Sequence, residues 1–204
     1  MTQISVTRAL AQVKALTDRI QRATGQAFVV VTTGGKHASG TPVQELNVTL
    51  QANLQSVTGL IAQRNALKSA IVRSNAVTTV VIAGKERTVA EAIERKTSIG
   101  LEQTLVQALK AQLGHATAPV ERANIQVAAR LDTLIQTAVG KDRKVDDADI
   151  KAITGPFEAQ NAAAVLDPSK VQNVIDALQA EIDEFLLEVD FALSEVNAVT
   201  KIDV

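Results

Sequence analysis

Apolar residues recur at three- and four-residue steps through much of this chain. Val6, Leu10, Val13, Leu16 and Ile20 share one face of a helix predicted from Ser5 to Ala23 and ended by Gly25. "AFVVVTTGGKHASG" follows and predicts a short strand, then a loop built on Gly34, Gly35 and Gly40. A long second helix is expected to open at "TPVQ". Thr41 would cap it, Pro42 would take the first helical position, and Gln44 would complete a capping box. Its apolar row, Val43, Leu46, Leu50, Val57, Leu60, Leu67 and Ile71, follows a heptad repeat. Asn53, Arg64 and Ser74 fall on the same seam. They either fix register in a bundle or form a polar site in an oligomer core.

The period changes at "TTVVIAGKERTVAEAIERK". "TTVVI" favours a strand, "AGK" a turn, and "ERT" a return strand. Thr88 and Glu91 form a T-x-x-E capping box, so the next helix starts at Val89. It is expected to run to about Leu113, where Gly114 and Pro119 interrupt. A fourth helix with Val127, Leu131, Leu134 and Ile135 on its face then reaches Val139. "GKDRKVDDADIKAITGPFEAQ" predicts a loop with one short helix near Asp147 to Ile153. In the final helix Asp167 caps and Pro168 takes the first position. That helix carries two interleaved heptad rows: Val171, Leu178, Phe185 and Ala192, and Ile175, Ile182, Val189 and Val196. "VTKIDV" is a candidate terminal strand, paired with "FVVV" or with the hairpin. The pattern predicts a mainly α fold, a long antiparallel helical hairpin or bundle with coiled-coil character and a small β-hairpin. It forms a single helical domain over residues 1–204, with an inserted helical and loop segment from Gly114 to Val165.

Composition narrows the core. Hydrophobic residues make up 46% of the 204 positions but aromatic residues only 2%, so Ala, Val, Leu and Ile must fill the interior. Small aliphatic side chains suit close helix packing. Cysteine is absent, which excludes disulfides and thiolate chemistry and fits a reducing cytoplasm. "MTQISVTRAL" lacks the pattern of a signal peptide, and runs such as "FVVV" are too short to span a bilayer. The formal net charge of −1 hides an asymmetry. Residues 157–204 hold ten acids and two bases, against 12 acids and 19 bases before them. A basic body and an acidic C-terminal part predict one segment packing on another, within a chain or between chains. The bases are scattered with no aromatic residues among them, which argues against a nucleic-acid surface.

No motif completes a reactive site. Gly84 and Lys85 resemble the end of a phosphate loop, but Thr79 stands where its first Gly belongs and Glu86 where its hydroxyl belongs. Gly34, Gly35, Lys36 and His37 could cradle an anion, or form a plain surface loop. His37 and His115 have no metal-binding spacing, and Asp146 to Asp149 lack the Gly and late Glu of a calcium loop. Asp146 to Asp149 are read instead as an N-capping cluster for the short helix. No catalytic residue, metal site or cofactor is implied, and the chain is not read as an enzyme.

"VTRALAQVKALTDRI", "LIAQRNALKSAIVRSNAVTTVVIAGKERTVAEAIERK" and "LDPSKVQNVIDALQAEIDEFLLEVDFALSEVN" together resemble the septicolysin-like family of small helical proteins. The resemblance rests on Arg73 and Asn75, on Thr88, Glu91, Ala92, Ile93 and Arg95, and on the Asp190 to Asn197 ending. It covers roughly half to two thirds of the chain. The resemblance implies long helices in an antiparallel hairpin with a short β-turn, and no catalytic mechanism. The loop around Lys36 and the stretch from Gly114 to Val165 depart from it. The family name implies a cytolysin, yet the chain has neither a spanning segment nor aromatic membrane anchors.

Two functions follow as expectations. The first is a non-enzymatic, self-associating protein with a structural or scaffold role, a homo-oligomer or a component of a larger assembly. The second is an oligomeric module that sequesters a small anionic ligand such as a nucleotide. Its candidate ligand-binding residues are Arg73, Asn75, Lys85, Arg87, Arg95 and Lys36.

Overall fold

A computed structural model describes residues 2–32, 34–38, 40–139 and 147–203. The chain is mainly helical, with three small antiparallel two-stranded sheets among the described residues. It divides into two compact units, Met1–Thr97 with Glu184–Val204, and Ser98–Asp183. Among the described residues no helix is long and apolar enough to cross a membrane.

The first unit opens with β1 (Gln3–Ser5) and α1 (Val6–Thr24). The Ser5 hydroxyl caps α1 by accepting from the Arg8 N–H at 3.3 Å. Val6, Ala9, Val13 and Leu16 supply its buried face. The short β2 (His37–Ala38) and β3 (Thr41–Pro42) lead into α2 (Val43–Val77). Asn53 Nδ2 donates to the Ala27 carbonyl and Arg64 Nε to Thr17 Oγ1, at 2.9 and 3.0 Å. Rising numbers on α2 meet falling numbers before it, so α1 and α2 run antiparallel. Ile4, Val6, Ala9, Val13, Leu16, Leu67, Ala70, Ile71 and Ile202 form one core cluster between them. The polar seam residues thus bond within the chain: Ser74 Oγ lies 3.4 Å from Thr78 Oγ1.

The expected hairpin is present as β4 (Thr79–Ile82) and β5 (Lys85–Thr88). Its two-residue turn has positive φ at both Ala83 (50°) and Gly84 (69°), which lets the turn follow the twist of the strands. The alternation puts Val80 and Ile82 inside and leaves Val81 61% exposed. α3 (Val89–Val139) follows, and after α4 (Asp147–Asn161) the final helix is α5 (Val171–Val199). The heptad rows are the inward face of α5, with Ile175, Ile182, Phe185 and Val189 buried. β6 (Lys201–Asp203) is the expected terminal strand. It pairs with β1, Gln3 opposite Asp203, and not with "FVVV" or the hairpin.

In the second unit, α3 and α5 are joined by a 3.1 Å hydrogen bond from Lys110 Nζ to Gln179 Oε1. Asn124 clasps the Ala163 backbone from both sides, donating to its carbonyl at 2.9 Å and accepting from its N–H at 2.8 Å.

Five expectations need correction. "FVVV" is not a strand: β6 pairs with β1 instead, and Val29 and Val31 stay 86% and 89% exposed. Thr41 and Pro42 do not open α2. They pair with His37 and Ala38, Pro42 becomes the cap, and no side chain caps the helix. Gly114 and Pro119 do not divide α3, which is continuous from Val89 to Val139. A proline removes one backbone bond, and the Ala-, Leu- and Gln-rich flanks carry the helix across it. Pro168 lies in a turn before α5, where Lys170 takes a φ of 51°. Asp167 still caps, its Oδ2 accepting from the Val171 N–H at 2.8 Å. The short helix expected near Asp147 to Ile153 extends to Asn161, through Pro156.

Left-handed backbone at a non-glycine residue is unfavourable by about 1–2 kcal/mol. Asn tolerates it and precedes Gly in the favoured hairpin turn. Ala83→Asn is therefore expected to stabilise the fold by about 0.5–1 kcal/mol, read as a higher urea midpoint with an unchanged slope.

Candidate functional site

The cationic cluster expected at the hairpin is built against α5. Arg87, near the end of β5, and Arg95, on α3, converge on the Phe185 ring. Their guanidinium carbons lie 5.5 and 5.0 Å from the ring centre. Both distances are within cation–π range. Phe185 is only 1% exposed, so the attraction acts with little water between the groups. Arg87 Nε is buried without a hydrogen-bond partner. One turn along α5, Glu188 Oε2 accepts from the Ala83 N–H at 2.6 Å, tying the hairpin turn to the helix. Lys96 of α3 forms an ion pair with Asp190.

The capping box closes the same region. Thr88 N–H donates to Glu91 Oε2 at 2.7 Å, and the Glu91 N–H donates to Thr88 Oγ1 at 3.1 Å. Thr88 Oγ1 also donates to Glu91 Oε2 at 3.0 Å. The Thr88 backbone and hydroxyl bonds hold the Glu91 carboxyl below the usual glutamate range, with Arg87 adding to the effect.

The six candidate residues do not converge on one pocket. Arg87 and Arg95 meet at Phe185. Lys85 is exposed where the chain leaves the hairpin turn, and Asn75 is half-buried near the end of α2. Lys36 is exposed in its loop, where its carbonyl accepts from the Val43 N–H at 3.1 Å. Arg73 lines a groove of about 540 Å³ beside α1, together with Arg8, Gln12, Gln63 and Asp203, and none of the other five candidates lines it. The sequence reading missed Arg8. Its signal was a cation in a first helical turn that holds no acid, against the preference set by the helix dipole. Asp203 was hidden because it reaches the groove through the β1–β6 pairing.

His37 and His115 are both exposed. Among the described residues no group of three or more His, Asp or Glu side chains could hold a metal ion. Asp146 lies outside the described residues, as do the side chains of Asp147 and Asp149. The chain matches no family model, no curated protein and no solved structure.

Two outcomes test the hairpin cluster. Phe185→Leu keeps an apolar side chain but removes the ring. It should destabilise by about 1–3 kcal/mol, and a double-mutant cycle with Arg95→Met should return a coupling of about 0.5–2 kcal/mol. The depressed Glu91 value sets a pH signature. Its contribution is complete above the ordinary glutamate range and is lost as the pH falls through the lowered folded value. Between neutrality and acid, the urea midpoint of the native chain should fall more steeply than that of Glu91→Gln.

Proposed function

We propose that this chain is a non-enzymatic, self-associating helical protein with a scaffold role, related to the septicolysin-like proteins that its motifs resemble. The observation that carries the reading is the outward face of α5. Leu187 and Phe191, one turn apart, are 72% and 73% exposed. They stand opposite the inward heptad rows, so α5 has apolar residues on both sides. A Leu–Phe row left in water has no favourable role in a lone chain, whereas burial of each side chain is worth about 1.5–3 kcal/mol.

The occupant argued for is a second copy of the chain. α5 holds seven acids, Asp176, Glu181, Asp183, Glu184, Glu188, Asp190 and Glu195, and no base. α1 exposes Lys14, Arg19 and Arg22 against the single acid Asp18. Opposite charges on two faces of the same chain favour contact between unlike faces of successive copies. The lack of cysteine supports a cytoplasmic setting for such an assembly.

Light scattering with size exclusion tests this. The native chain should elute at a multiple of 21.6 kDa, and Leu187→Glu/Phe191→Glu should return it to 21.6 kDa with its helical circular dichroism unchanged. A native chain that stays at the monomer mass across a wide concentration range would overturn the proposal.

A further inference from the structure

We infer that the groove between α1 and α2 is a binding site for a small amphipathic carboxylate with an anionic head and an unbranched aliphatic body. This goes beyond the association of copies and needs no second subunit.

The groove has a polar end and an apolar floor. Arg8 and Arg73 reach the polar end from antiparallel helices, and Asp203 is the single carboxylate among the lining residues. Among the described residues neither guanidinium has a hydrogen-bond or ion-pair partner, and Asp203 bonds to neither of them. Two like charges facing one hollow repel each other, and a bridging anion removes that repulsion. A carboxylate matches the guanidinium fork with two oxygens. The first turn of α1 holds no acid that would offset the charge of Arg8.

The floor excludes a bare ion as the fitted occupant. Ile4, Leu67 and Ala70 belong to the hydrophobic core and also line the groove. Its volume of about 540 Å³ falls in the usual range of small-molecule sites. Gln12 stands about one helical turn from Arg8, and Gln63 lies almost three turns from Arg73. There the hollow meets a second one of about 250 Å³, which shares both glutamines and adds Ala15, Leu16 and Arg19. A hollow that starts at two cations, has an apolar floor and continues along the helices suits a linear chain better than a flat ring.

Titration calorimetry of the full chain with octanoate tests the site, with octanol, acetate and inorganic phosphate as comparators. Octanoate should bind saturably and shift the methyl resonances of Ile4 and Leu67. Arg8→Gln/Arg73→Gln, altering two exposed side chains, should weaken it by about tenfold or more while leaving the melting temperature of the unliganded protein near native. Octanol without the charge, and acetate without the chain, should bind much more weakly. The inference is overturned if octanoate does not saturate or the double variant binds it equally well. It is also overturned if acetate or phosphate binds as tightly as octanoate, because the floor would then contribute nothing.

Discussion

Phe185 is the ring around which the hairpin half of the first unit is assembled. A chain with only four phenylalanines and no Trp or Tyr has few large side chains to organise a core. Placing one of them at 1% exposure beneath two guanidiniums joins three elements at a single point: β5 through Arg87, α3 through Arg95, and α5 itself. The neighbouring turns of α5 repeat the device with charge. Glu188 holds the hairpin turn by its backbone, and Asp190 pairs with Lys96. The hairpin is too short to stand alone in water, so its order depends on this anchoring.

Charges that look like a ligand site in the linear sequence therefore have a mechanical use in the fold. Arg87 and Arg95 lie close together in sequence, which made their clustering legible. The ring they share lies far downstream, and its heptad position explained its burial without revealing the two cations above it. The converse holds at the groove. Arg73 was legible as a cation near the hairpin, but its neighbour Arg8 comes from the other end of an antiparallel helix pair. No local pattern announces that register. It emerges only when the α1 and α2 apolar faces pack.

Features set by nearest neighbours were legible for the same reason that distant ones were not. The Thr88–Glu91 box, the Ala83–Gly84 turn and the two rows of α5 all depend on residues within a few positions of one another. "FVVV" has the strand-forming residues but pairs with no strand, and an unpaired strand gains nothing from its preference. Pro119 reads as a stop, yet one missing bond weighs little against the favourable residues on either side. Pro42 suits the first helical position by residue type, but its pairing with His37 is invisible to any periodicity.

The β1–β6 pairing carries a mechanical consequence. Gln3 faces Asp203, so the two outer ends of the first unit meet on one rung of the ladder. Tension applied through these two ends meets the ladder as a zipper, parting the outer rung first and the next only afterwards. It does not load all three rungs together in shear. The helices and the core behind the ladder are shielded until it has opened, so this pair acts as a mechanical fuse for the unit.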